Sequence, residues 1–348
     1  MILEIKPYDT LFFRDGKPFN KGDESWADAI FPPYPATIYG ALRSAFFNEN
    51  INIFEELKKE KKLNTETDPT TKLKINNIII KKSNDSLFSL PKNILHNNDE
   101  IHVLTNLQNS ILTSVEPLQV FENNLDPKFK FQEGWLDELI FKNYLSKKYD
   151  ALELKKKDVL FKTEPKVGIA LNSVTGTSDE SALYRVDMLR LNDDVQLVVD
   201  FEGLEFSETI FKLGGEGKYA MAKIVENIPQ IPIPKIENKF LIYFATPVIF
   251  KQGWLPGWID KDDFSGIVPN TNLKVKLKTV ANGKPNFIGG FDLAEKSPKP
   301  MFRAVPAGSV YFFEIVAGDA GELKKIHTSS ISEVYPEQGF GICYVGIY

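Results

Sequence analysis

Apolar and polar positions alternate loosely from the start of the chain. Ile2, Leu3 and Ile5, then Leu11, Phe12 and Phe13, predict a first strand within residues 1–13. Arg14-Asp15-Gly16-Lys17-Pro18 reads as a turn. Three prolines in Phe31-Pro32-Pro33-Tyr34-Pro35 forbid a helix until Pro35. Thr37 is then placed to cap a helix with Ile38, Ala41, Leu42, Ala45 and Phe46 on one face. Residues 48–78 are rich in Lys and Asn and predict a solvated helix end and loop. Residues 75–160 mix short strands with a helix around Leu136–Tyr149 and carry few motifs.

The pattern sharpens further on. Lys166-Val167-Gly168-Ile169 precedes a polar Ser/Thr/Gly stretch at 172–181 and then Leu183-Tyr184-Arg185-Val186. Residues 195–201 form an apolar strand, and Phe211-Lys212-Leu213 leads into Gly214-Gly215-Glu216-Gly217-Lys218. Ile228-Pro229-Gln230-Ile231-Pro232-Ile233-Pro234 is the best linker, because closely spaced prolines enforce an extended path. Beyond it Phe240–Phe244, Lys274–Val280 and Val310–Val316 read as strands, and a Gly turn at 339–341 feeds a β-branched terminal strand. Strands dominate, and βαβ alternation is too irregular for a doubly wound sheet, so the class is α+β. At roughly 100–200 residues per domain, 348 residues predict two domains.

Composition excludes several classes. The single Cys343 rules out an intrachain disulfide and a Cys-ligated zinc site. No apolar run approaches the roughly 20 residues that span a bilayer, and the early charges Glu4 and Lys6 break any signal-peptide core, so a cytoplasmic protein is expected. The net charge of −5 argues against a chain whose whole surface coats nucleic acid, but it permits a local basic groove. The cations are unevenly chosen: 37 are Lys, and only Arg14, Arg43, Arg185, Arg190 and Arg303 are Arg. Where Lys is the default, Arg marks places that need a planar fork of donors.

Catalytic signals are thin. His96, His102 and His327 lie outside the Gly-rich and Arg-bearing segments, and the spacing of the first two matches no metal pair on a helix face. Gly-x-Ser-x-Gly and His-Glu-x-x-His are absent. Asp260, Asp262 and Asp263 read as a solvated helix cap. The loop at 214–218 fails as a Walker A motif, because Tyr219 stands where Ser or Thr is needed. It can still offer backbone N–H groups to a phosphate, or it can be a tight turn that needs positive φ.

Phe12-Phe13-Arg14-Asp15-Gly16-Lys17-Pro18-Phe19, followed by Phe31-Pro32-Pro33-Tyr34-Pro35 and Thr37-Ile38-Tyr39-Gly40-Ala41-Leu42-Arg43, resembles the third RAMP subunit family of the type III-B CRISPR effector, the Cmr complex. The closing Gly339-Phe340-Gly341 resembles the Gly-x-Gly element of that group. Segments at 166–169, 183–185, 213–218, 246–256 and 298–309 follow in the family's order, so the resemblance spans nearly the whole chain. It implies two ferredoxin-like (RRM-related) domains with inserted loops and hairpins, at 1–228 and 236–348. It implies no catalysis, cofactor or metal, and a role holding the 5′ handle of the CRISPR RNA. The implied neighbours are the large polymerase-like subunit and the backbone RAMP subunit, with no membrane partner.

On this reading Arg14, Arg43, Lys218 and Arg303, with the backbone N–H groups of Gly214, Gly215 and Gly217, line a groove for single-stranded RNA. Tyr184 and Phe340 would stack splayed bases. Lys17, Lys166, Arg185, Lys299, Gly339 and Gly341 complete the RNA-binding set, and Trp254 and Trp258 are candidates for a partner interface. Two alternatives remain: a metal-independent endoribonuclease that processes CRISPR RNA with a His or Tyr base, and an assembly subunit without RNA contact.

Overall fold

The structure is a computed structural model. It describes residues 1–14, 26–27, 29–59, 67–97, 100–109, 118–122, 125–150, 152–171, 177–292 and 297–348. Lys17 and the side chain of Tyr184 lie outside that set.

The first half is built from β1 (Ile2–Pro7), α1 (Pro35–Glu49), α2 (Ile51–Lys59), β2 (Lys74–Lys82), β3 (Asp85–Ser89), β4 (Trp135–Asp137), α3 (Glu138–Leu145), β5 (Phe161–Leu171), β6 (Ser178–Leu191), β7 (Val195–Glu202), β8 (Thr209–Lys212) and β9 (Tyr219–Val225). Seven of these strands form one sheet in the order β8-β9-β1-β7-β2-β3-β4. β5 and β6 form a separate long hairpin that pairs in parallel with the short strand Trp26–Ala27. After the prolines come β10 (Lys239–Phe244), β11 (Ser265–Ile267), β12 (Lys274–Ala281), β13 (Val310–Ala317), β14 (Ser329–Ser330) and β15 (Ile342–Ile347). They form a second sheet in the order β11-β12-β13-β10-β15-β14. A short hairpin, Asn286–Ile288 with Phe302–Ala304, stands beside it. No helix of the described residues is long and apolar enough to cross a membrane.

The α+β reading holds in its coarse form, a strand-rich mixed fold with mostly antiparallel pairs and few helices. Local details differ from the sequence reading. Tyr34, not Thr37, is the N-cap of α1: Pro35 fixes the helical φ at the first position, and Thr37 is already inside the helix. The lysine-rich stretch after α1 is helical over Ile51–Lys59, and the central helix is shorter than expected, at Glu138–Leu145. Asp260 and Asp263 cap no helix; their carboxylates accept backbone N–H groups within one turn.

The core follows from the two-residue period of the strands. In β10 Phe240, Ile242 and Phe244 point into one apolar cluster, while Leu241 and Tyr243 point into another. β13 and β15 divide in the same way: Phe313 and Val345 go to the first cluster, Phe312 and Tyr344 to the second. The sheet is buried on both faces, which is why Phe-Leu-Ile-Tyr-Phe reads as an unbroken apolar run.

The second cluster is shared with the first half. α3 and β3 supply Phe141, Tyr144 and Phe88 to it. Phe88 stacks on Phe141 at 4.0 Å between centroids, and the edge of Tyr344 meets Phe141 at 5.3 Å. Asp137 caps α3 by accepting the Ile140 N–H at 3.0 Å. A Cβ at Gly346 would lie 2.9 Å from the Leu145 carbonyl, so only glycine lets the end of α3 approach β15. α1 covers the other face of the first sheet, with Ile38, Leu42 and Ala45 set against Leu3, Ile5 and Leu197.

Phe141→Ala should lower stability by about 3–5 kcal/mol, read from the midpoint of urea unfolding, because it empties a fully buried aromatic site between the halves. An exposed control on the same helix, Leu139→Ala, should change the midpoint little.

Candidate nucleic-acid interface

The predicted site residues fall into two groups. One gathers where the β5–β6 hairpin meets the glycine loop between β8 and β9. Gly214 and Gly217 sit at φ 78° and 65°, the left-handed region. A Cβ at Gly214 would lie 2.6 Å from the Phe12 carbonyl, and the Gly215 N–H donates to that same carbonyl at 2.8 Å. The loop is therefore a tight turn clamped on the segment before Arg14, and the Gly215 N–H is committed to protein. This corrects its assignment as a phosphate donor.

The cations here carry acidic mates. The Lys218 ammonium lies 2.6 Å from Asp9, and Lys166 lies 2.7 Å from Glu216. Arg190 forks onto both Glu164 oxygens and reaches Asp9 at 3.2 Å. The hydrogen bond from Lys218, with its charge, holds the Asp9 carboxyl down to about 2, and Arg190 lowers Glu164 in the same way. Arg185 donates to Asp187 at 3.1 Å. Arg43, on α1, forks onto Asp68 and Thr70 near the start of β2, the Thr70 contact at 2.7 Å. Arg43, Arg185 and Arg190 thus mark forks needed inside the chain; Arg14 and Arg303 are exposed. The acidic mates Asp9, Asp68, Glu164 and Glu216 were missed, because no spacing in the sequence links them to their cations.

The second group lies in the C-terminal half. Gly339 and Gly341 are left-handed at φ 89° and 71°, with a Cβ on either blocked by Ile75 or by the Ser332 backbone. Thr246 donates to the Gly339 carbonyl and accepts from the Ile342 N–H, and the Gly341 N–H donates to Pro247. The Gly-x-Gly element is an internal clasp. Phe340 is fully buried against Ile249, Ile288 and Ala304, so its ring faces are closed to a base. Both points correct the sequence reading. Trp258 stacks on Phe313 at 5.6 Å and packs on the core, which leaves Trp254 as the more exposed of the two. Arg303, on the short hairpin, and Lys299, beside it, are exposed, and neither has a carboxylate mate among the described residues.

The histidines are structural or peripheral. His327 Nδ1 accepts the Val345 N–H at 3.1 Å, so Nε2 carries the proton and donates to the Ile231 carbonyl at 2.7 Å. The ring bolts the proline segment to β15. His102 rests its ring edge-on against Phe129 at 4.5 Å, and His96 belongs to the same small hairpin. Among the described residues no group of three metal-ligating side chains occurs.

The fold is that of subunits found in type III-B CRISPR effector complexes. Two solved chains share it, both at TM-score 0.56 and 19% identity, covering 90% of this chain and 86% of theirs: one from the type III-B Cmr-beta complex bound to cognate target RNA, the other from that complex bound to target RNA and AMPPnP. The model of the family described as CRISPR-associated protein (Cas_Cmr3) matches residues 3–348, and the chain belongs to that family. No curated protein sequence matches it.

Burial lowers the His327 pKa, only partly offset by the bond to Ile231. The unfolded chain therefore takes up this proton first as pH falls below about 6.5. Stability from this group is complete above that value and declines as pH drops toward the lower folded pKa. His327→Gln should flatten the fall in unfolding free energy as the pH drops below about 6.5. An unchanged pH slope would mean that the ring does not stay neutral.

Proposed function

We propose that this chain is a non-catalytic, RNA-holding subunit of a cytoplasmic type III-B CRISPR effector. It grips the 5′ handle of the CRISPR RNA and docks on the large polymerase-like subunit and the backbone RAMP subunit. Membership of the family and the likeness to chains of RNA-bound complexes support the setting. Strand order supports two ferredoxin-like units at 1–228 and 236–348. In β9-β1-β7-β2 and in β15-β10-β13-β12, the first strand lies between the fourth and third, and the second lies beyond the third. Of the crossovers, only α1 is an α-helix covering its sheet; a short 3₁₀ turn, Ala320–Lys325, occupies the last one.

The observation that carries the RNA reading is the segregation of cations. Around the glycine loop Lys166, Arg190 and Lys218 are neutralised in place, whereas Arg303 and Lys299 are exposed with no carboxylate mate among the described residues. Unmated cations gain most from a phosphate, because they give up no internal partner to bind it. The commitment of both His327 nitrogens to backbone groups favours holding over cutting.

Fluorescence anisotropy of labelled handle RNA tests the reading. Replacing Arg303 and Lys299 together by Ala should weaken binding roughly tenfold and lower the slope of log affinity against log salt by about 1–2. Lys218→Ala should cost less, since Asp9 already occupies that ammonium. Unchanged affinity and slope in the double variant would remove the assignment.

A further inference from the structure

Each of the two large sheets ends in two edge strands, and an edge presents backbone groups that the ladder does not use. β4 is closed on its outer side: the Trp135 N–H donates to the Lys155 carbonyl at 2.9 Å, and the Lys155 N–H donates back to the Trp135 carbonyl at 2.8 Å. β11 is closed in part by the bridge of Ile259 to Gly266 and by the Asp260 N–H, which donates to the Ser265 carbonyl at 2.8 Å. β14 is only two residues long. β8 differs from all of these.

The register fixes which of its groups are spare. Thr209 pairs with Ala222, Ile210 with Met221, Phe211 with Ala220 and Lys212 with Tyr219. One step further along, the Leu213 N–H donates to the Lys218 carbonyl at 2.9 Å. Antiparallel pairs alternate between hydrogen-bonded and non-bonded. Thr209 and Phe211 therefore turn their backbone groups toward β9, and Ile210 and Lys212 turn theirs away. The Tyr8 N–H donates to the Tyr219 carbonyl at 3.1 Å, which agrees, since Tyr219 then bonds on the β1 side and not to Lys212. Among the described residues nothing meets the outward N–H and carbonyl groups of Ile210 and Lys212.

The side chains beside this edge are open as well. Phe211 points into the core, whereas Ile210, Tyr219 and Tyr8 are 57%, 46% and 58% exposed. Met221 lies between Ile210 and Lys6 in register, and its sulfur accepts from the Tyr8 hydroxyl at 3.4 Å. Lys6, Lys212 and Lys223 are exposed around these residues and form no ion pair among the described residues. Of the nearby acids, Glu4 is held by Lys81, and Asp9 by Lys218 and Arg190; Glu208, just before the strand, is exposed. An edge guarded against association carries charge and little apolar surface. Here aromatic and apolar surface borders the open edge.

We propose that β8 is a docking edge, which takes an extended, acidic segment of a partner subunit as a further strand of the first sheet. The backbone of Ile210 and Lys212 supplies the hydrogen bonds. Ile210, Met221, Tyr219 and Tyr8 supply apolar contact, and the lysines select acidic side chains on the incoming strand. A second copy of this chain fits poorly, because like patches would set lysine against lysine. The inference rests on the reading of the chain as one subunit of an assembly, and it names the site and mode of one contact.

The test uses the full chain, free and within the reconstituted effector complex. The Ile210 and Lys212 amides should exchange with solvent rapidly in the free protein and at least about tenfold more slowly in the complex. Proline at position 210 removes an outward donor and leaves the pairing with β9 intact. Ile210→Pro should therefore melt near the wild-type temperature yet join the complex roughly tenfold more weakly, and Lys212→Glu should weaken joining too. Thr209→Pro breaks a bond to β9 and should instead lower the melting temperature. A photo-crosslinking p-benzoylphenylalanine in place of Ile210 identifies the occupant. Adducts to an acidic segment of another subunit support the proposal; adducts only to RNA or to a second copy of this chain overturn it. Unprotected amides in an assembled complex, or wild-type joining by a folded Ile210→Pro chain, overturn it and leave the assembly reading intact. A wild-type chain that fails to join the complex removes that reading, and this proposal with it.

Discussion

The aromatic layer between the two sheets is the constraint on which the molecule depends. Phe88 and Phe141 from the first half stack on each other and meet Tyr243 and Tyr344 from the second, all buried. Polar handles on the same rings are satisfied across the boundary: Asn77 donates to the Tyr344 hydroxyl at 3.1 Å, and Tyr243 donates to the Ser89 carbonyl at 2.6 Å. Directional bonds added to apolar contact fix one relative placement of the halves. The proline segment adds to this, since Ile231 is buried in the same layer and its carbonyl is held by His327. A segment that reads as a spacer in sequence is, in the fold, a packed strap.

That rigidity decides where charge can act. The long hairpin is tied to the glycine loop and to the end of β1 by Glu164–Arg190–Asp9–Lys218 and by Lys166–Glu216. Most of these groups are substantially exposed, so each pair contributes little to stability. Their effect is on potential: cations and anions interleave, and the local field is nearly neutral. The short hairpin of Asn286–Ile288 and Phe302–Ala304 differs, because Lys299 and Arg303 face solvent with no carboxylate mate among the described residues. A chain with net charge −5 can therefore still present a positive face.

How much of this was legible in the sequence follows from the physics of each feature. The strands at 195–202, 239–244, 274–281 and 310–317 were legible because a two-residue period and β-branched runs are local signals. The order of α1 after the prolines was legible for the same reason, though its cap was not, since Pro35 displaces the capping position upstream of Thr37. Arginine scarcity was a true signal. It marks demand for a fork, and in Arg43, Arg185 and Arg190 the demand comes from carboxylates of this chain. Glycines misled likewise: at 214, 339 and 341 they answer backbone crowding, and the ring of Phe340 went inward with the turn. Asp9 and Lys218 are 209 positions apart, and pairing over that separation leaves no local trace.

The fold meets most of its polar groups by the same rule. Around the glycine loop Lys166, Arg190 and Lys218 are matched with acids, and around the Gly-x-Gly element backbone donors are matched with Pro247 and Thr246. The exceptions among the described residues are few and scattered: Ser86, His96, Trp135, Tyr149 and Trp258 each bury a polar atom that finds no partner. A buried donor or acceptor left open costs stability, so such positions are sustained by the apolar contacts around them, as Trp258 is by its stack on Phe313.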